Sequence, residues 1–196
     1  HIPINKDKRP GIKIFPQYIT IHSTGNLKST AQNERNWLIN SSNNRIASWH
    51  IVLDDKEAIE AIPLNEIAFH AGSKDGNYKS IGIEICESGN REKTLKNAVE
   101  LVSKILIGRN WGIGRLKRHF DWSGKNCPRI LNYNNWEGWE RFKKDVEKII
   151  NNHLSPWAKE AWNWAIKNQV TDGKRPRELA TREEVITMIY RGREVK

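Results

Sequence analysis

Strand-like runs that alternate strictly, separated by long stretches of helical spacing, constrain this chain more than any other feature of its sequence. Residues 80–86, SIGIEIC, place Ile81, Ile83 and Ile85 on one face and Gly82, Glu84 and Cys86 on the other, the period-two pattern of a strand. Residues 17–22, QYITIH, alternate in the same way, and residues 48–53 and 58–62 read as a hairpin joined by Asp54, Asp55 and Lys56. Elsewhere the period changes. Leu95, Ala98, Val99, Val102, Ile105 and Leu106 recur at helical intervals, and so do Trp139, Phe142, Val146, Ile149 and Ile150. A further helix is expected over about residues 30–40, capped by Ser29 or Thr30, with Trp37 and Leu38 on its apolar face. Strands interleaved with amphipathic helices predict an α/β domain ending near residue 153.

A polar break ending in proline, NNHLSP at 151–156, then changes the character of the chain. Residues 157–168 read as an amphipathic helix, a turn-rich bridge follows, and Thr181 with Glu184 forms a capping box that opens a second helix through Tyr190. Two domains are therefore expected, 1–153 and a small helix–loop–helix unit at 154–196. Nine basic and six acidic side chains give that unit a charge of +3, out of +10 for the 196 residues. Such a balance favours polyanionic partners, among them nucleic acid, anionic membrane and phosphate-rich wall polymers. No nucleic-acid motif is present and the positive charge is dispersed, so a nucleic-acid partner is not expected. No apolar run approaches the roughly 18–20 residues of a membrane span, and HIPINKDKRP lacks the pattern of a signal peptide. The expectation is a chain made in the cytoplasm, with no membrane insertion.

The chemistry concentrates in RHFDWSGKNCPRI, residues 118–130, a polar, turn-rich stretch that reads as a loop and sets His119 eight residues before Cys127. His22 ends a predicted strand on the face shared by Tyr18 and Thr20. Two imidazoles and a thiolate suit zinc, and three protein ligands leave a fourth position for water, as in catalytic sites. With His50 or His70 as a fourth ligand the same residues would make a closed structural site, and spacing leaves both readings open. Cys86, in an alternating run, reads as a buried small hydrophobe. A wall glycosidase would need a flanking pair of acids, and Glu84 has no obvious partner.

Five segments in order, TIHSTGN, SWHIVLDD, EIAFHAG, SIGIEICESG and RHFDWSGKNCPRI, resemble the zinc-dependent N-acetylmuramoyl-L-alanine amidases of the type-2 amidase family, over roughly residues 15–150. The resemblance implies a mixed β-sheet flanked by helices and a zinc ion on His22, His119 and Cys127. It implies cleavage of the amide between N-acetylmuramic acid and L-alanine of peptidoglycan, with Glu84 moving the proton and Lys125 stabilising the oxyanion. His50 and His70 align with family histidines near the cleft, as substrate contacts or as buried residues packed behind the ligands, and Trp49 stands where relatives often carry tyrosine or a small residue; the three are the substrate-binding candidates. Phage and prophage endolysins of this kind lyse the wall from a signal-less cytoplasmic product, which is the localisation expected here. A non-catalytic peptidoglycan-binding module is the alternative. Residues 154–196 resemble an S-layer-homology repeat, which implies an anionic secondary wall polymer as partner. Trp157, Trp162 and Trp164 fit either the core of that unit or an exposed binding face.

Overall fold

The computed structural model describes residues 1–194. Its centre is a five-stranded sheet in the order β3-β2-β4-β1-β5, built from β1 (Tyr18–Ser23), β2 (Ile51–Leu53), β3 (Ala58–Glu60), β4 (Ser80–Ile85) and β5 (Leu116–Arg118). Strands β2, β4, β1 and β5 run parallel, and β3 turns back antiparallel on β2 as the expected hairpin. Parallel strands need crossovers that cover both sheet faces, and β1 and β4 are accordingly buried on both.

Helix α1 (Ala31–Ile39) packs on β2 and β3, and α3 (Arg91–Gly108) packs on β2 and β4. Thr30 is the N-cap of α1, accepting from the Asn33 N–H, while Ala31 N–H donates to the Asp54 carboxylate at 2.9 Å. The apolar stripe of α3 buries Ala98, Val99, Val102 and Leu106. Helix α5 (Glu137–Asn152) buries Trp139, Phe142, Val146 and Ile150, and its Val146 carbonyl accepts from Ser103 Oγ of α3 at 3.4 Å. Cross-strand partners share a face, so the pairings His22–Glu84 and Val52–Glu84 put these side chains on the face where Val52 joins the α1 core with Leu38, Trp49 and Cys86. A six-residue helix not expected from the sequence, α2 (Lys74–Lys79), leads into β4 and is capped by Ser73.

The chain divides into two compact units, residues 1–146 and a second from Glu147 onward. The second contains a 3-10 turn (Pro156–Ala158), α6 (Lys159–Lys167) and α7 (Arg182–Glu194). The Thr181–Glu184 capping box is present, at 2.7 and 3.2 Å. Trp157 is 87% exposed and Trp164 48% exposed, so neither is a core residue of this unit. Among the described residues, no helix is long and apolar enough to cross a membrane.

The N-terminal segment is fastened to the first unit by a buried charge. Glu66, with a side chain 7% exposed, accepts from Arg9 Nε at 2.8 Å and Nη2 at 3.2 Å, and from Lys13 Nζ at 3.1 Å. The Arg9 hydrogen bond outweighs burial and holds the Glu66 carboxyl below its ordinary value of 4.5. A depressed carboxyl stabilises the fold fully above that ordinary value and loses its effect as pH falls through the folded value. Arg9→Gln should therefore cost about 1.5–3 kcal/mol near neutral pH. The gap to wild type should narrow below about pH 4, as denaturant melts at the two pH values will show.

Candidate functional site

Parallel pairing of β1 with β4 sets His22 directly beside Glu84 at the carboxyl ends of the central strands. β5 delivers the next residue: the His119 N–H donates to the Ile21 carbonyl at 3.2 Å. The stretch expected as a plain loop contains a one-turn helix, α4 (Phe120–Ser123), and closes in a 3-10 turn, Arg129–Leu131. Gly124 ends α4 in the left-handed region at φ 73°, which reverses the chain, and Phe120 N–H then donates to the Cys127 carbonyl at 3.0 Å. The eight-residue spacing thus folds back on itself, and Cys127 returns to His22 and His119.

The three side chains are buried, and their donor atoms all lie within 4.8 Å of one another. His22 Nδ1 is 3.0 Å from His119 Nδ1 and 3.8 Å from Cys127 Sγ. A chain of hydrogen bonds fixes which His22 nitrogen faces them. The Ser80 carbonyl can only accept, so His70 Nε2–H donates to it at 3.3 Å, which leaves His70 Nδ1 to accept from His22 Nε2–H at 3.0 Å. The bare Nδ1 of His22 is then directed at His119 and Cys127, the tautomer a metal ion requires. Burial, reinforced by neighbouring imidazoles, holds His22 and His70 well below 6.5, and burial with the Lys125 charge brings His119 to about 4. All three rings are therefore neutral near pH 7, and with His70 engaged by Ser80 and His22, it is His22 and His119 that can ligate.

Glu84 stands at the edge of this cluster, Oε1 4.0 Å from His22 Nδ1, and its Oε2 is buried without a hydrogen-bond partner. Burial and the Glu34 carboxylate push it up to about 8, with Lys125 pulling the other way. Burial likewise pushes the Cys127 thiol up to about 12. A cation at the cluster would reverse both effects, because it favours carboxylate and thiolate. Lys125 is exposed on the loop between Gly124 and Cys127, and its charge is felt by His22, His119 and Glu84.

Three residues expected at the substrate are placed elsewhere. His50 is fully buried, its Nε2–H donating to the Glu66 carbonyl and its Nδ1 accepting the Gly82 N–H, both at 2.8 Å, so both ring nitrogens are spent on backbone. His70 lies behind His22 as its hydrogen-bond acceptor. Trp49 is 6% exposed and stacks on Trp37 in the α1 core, at 5.7 Å between rings. Residue type and motif singled these residues out but did not reveal that other layers cover them.

Gly82 is the residue that sequence reading passed over. A Cβ there would lie 2.6 Å from His70 Cγ, so only glycine lets the ring sit against β4 beneath His22. Its signal was visible as a lone glycine among isoleucines in a strand. Gly82→Ala should displace His70 and destabilise the domain by about 1–3 kcal/mol. Imidazole 15N spectra should show His22 passing from one tautomer to a mixture.

Comparison with known proteins places these residues in context. A family model described as N-acetylmuramoyl-L-alanine amidase matches residues 12–130. The chain is 40% identical over 135 residues to the N-acetylmuramoyl-L-alanine amidase CwlH of Bacillus subtilis (strain 168), covering 66% of this chain and 54% of that one. To the amidase XlyB of the same organism it is 41% identical over 148 residues, covering 71% of this chain and 44% of the relative. It spans about half the length of these relatives. Among solved structures, the catalytic domain of XlyA superposes with a TM-score of 0.67 at 37% identity, covering 74% of this chain and 95% of that domain. PlyL superposes at 0.64 and 35% identity, covering 72% and 89%. The mixed α/β fold is the one these structures share.

Proposed function

Because the chain belongs to the N-acetylmuramoyl-L-alanine amidase family, we propose that it hydrolyses the amide joining N-acetylmuramic acid to the L-alanine of the peptidoglycan stem peptide. We propose also that His22, His119 and Cys127 hold a zinc ion for this reaction. The observation that carries the reading is the convergence of two imidazole nitrogens and one sulfur beside a carboxylate oxygen with no partner. The donor set fits zinc. A tetrahedral ion with ordinary Zn–N and Zn–S bonds separates its nitrogens by about 3.3 Å and nitrogen from sulfur by about 3.6 Å, and His22 Nδ1 lies 3.0 Å from His119 Nδ1 and 3.8 Å from Cys127 Sγ. Three protein ligands suit a catalytic site, and His50 and His70, both engaged elsewhere, do not supply a fourth.

When bound, zinc supplies Lewis-acid chemistry, activating water and polarising the scissile carbonyl. The rest of the work falls to the chain itself. Glu84 takes the proton of the attacking water on its free oxygen and returns it to the alanine nitrogen, which cannot leave unprotonated. The Lys125 ammonium, already felt at Glu84, stabilises the negative charge that develops on the carbonyl oxygen. His70 and the Ser80 carbonyl keep His22 in its ligating tautomer.

Residues 1–153 would carry the chemistry and 154–196 would attach the enzyme to an anionic wall polymer at the outer face of the cell. Support for the second role is a charge of +3 beside the exposed Trp157 and Trp164. Trp157→Ala should reduce retention on purified cell walls, and added salt should reduce it further, as a pull-down assay will measure.

Glu84→Gln tests the mechanism, because the amide keeps the side chain's size but cannot take up a proton. Activity should fall about 10²–10⁴-fold while zinc content equals that of wild type. Mass spectrometry of digested peptidoglycan should show a new free L-alanine amine with the wild-type chain. A chain that binds walls and zinc but releases no such amine would instead be the non-catalytic module.

A further inference from the structure

A second polar cluster lies beside the ligands and has no part in the chemistry above. Glu87 follows β4, and its side chain is 2% exposed. Its carboxylate accepts from Arg129 Nε at 2.9 Å and Nη2 at 2.7 Å, and from the Gly25 N–H at 3.0 Å. Ser23 adds a contact from the end of β1: its Oγ accepts the Arg129 N–H at 3.1 Å. One buried carboxylate therefore ties together three chain segments. Their site residues, His22, Glu84 and Cys127, lie one, three and two residues before Ser23, Glu87 and Arg129 respectively.

We propose that the Glu87–Arg129 ion pair is a positioning clamp, which holds the Cys127 loop against the end of β1 and so preorganises the metal centre. Two features argue for more than general stability. The Arg129 side chain is half exposed, so it reaches in from the surface and contributes little to the core, yet it makes both arms of its fork to a saturated carboxylate. And the loop it holds has no strand partner: beyond the Phe120–Cys127 bond, Cys127 N–H turns back only on the Lys125 carbonyl at 2.7 Å. Without the clamp, the placement of the sulfur rests on that short turn and on the single bond from the Arg129 backbone N–H to Ser23 Oγ.

The inference rests on the proposed metal site, and its test has an arm that needs no metal. Arg129→Gln, Arg129→Lys and the distant control Arg9→Gln are compared in the full chain. Loss of zinc to excess chelator should be about 10–100-fold faster in Arg129→Gln than in wild type. In the metal-free proteins, iodoacetamide should alkylate Cys127 about tenfold faster in Arg129→Gln, read by peptide mass spectrometry, with the fully buried Cys86 as internal reference. Arg129→Lys keeps the charge but not the fork and should recover part of both effects. Arg9→Gln should lower the melting temperature and change neither rate. The clamp is overturned if Arg129→Gln matches wild type in both rates, if Cys86 alkylation rises in step with Cys127, or if Arg9→Gln reproduces the changes. Should the wild-type chain bind no zinc, the metal reading fails, and the alkylation rates still decide whether the clamp positions Cys127.

Discussion

Everything at the site depends on the parallel pairing of β1 with β4 in one register. With Ile21 opposite Ile83 and His22 opposite Glu84, both polar groups emerge on the α1 face while the isoleucines fill the other. Strand side chains alternate with period two, so a slip of one residue would bury an isoleucine at the site and drive Glu84 among the apolar side chains under α3. The hydrophobic pattern thus enforces the functional geometry: the residues that stabilise the sheet are also those that forbid every other alignment of His22 with Glu84.

A pile of imidazoles in a buried place is unfavourable unless each nitrogen finds a partner. Here the backbone supplies them. The Ser80 and Glu66 carbonyls accept from His70 and His50, the Gly82 N–H donates to His50, and Gly82 itself leaves room for the His70 ring. His50, His70 and His22 are thereby each held in one tautomer, and the Nδ1 of His22 is left to meet His119 Nδ1 and Cys127 Sγ. Glu84 Oε2 is buried without a partner, a cost of the kind that active sites retain.

The second unit follows a different logic. Its helices are opened by a capping box and a proline turn instead of being pressed into a sheet, and α7 leaves Ile186 64% exposed and Tyr190 63% exposed. Local signals are enough to define such elements, which is why the Thr181 start was legible. They do not determine what an apolar face meets.

Period and capping chemistry by themselves determined the strands at 17–22 and 80–86, the Thr30 cap, the long helices and the order in which they alternate, because these depend on neighbours within a turn or two. Of the site, His22, Glu84, His119 and Cys127 were legible from residue type and motif. Only the tertiary structure decided that the 118–130 stretch contains a helical turn, since four residues are too few to show a period. Burial of Trp49 and His50 was also invisible, because alternation separates two faces without saying which of them another layer covers. The carboxylate of Glu87 and the guanidinium of Arg129, 42 residues apart in the chain, meet only after β1, β4 and β5 have paired. Contacts of that kind are written in no local pattern, for they exist only once the sheet has brought its strand ends together.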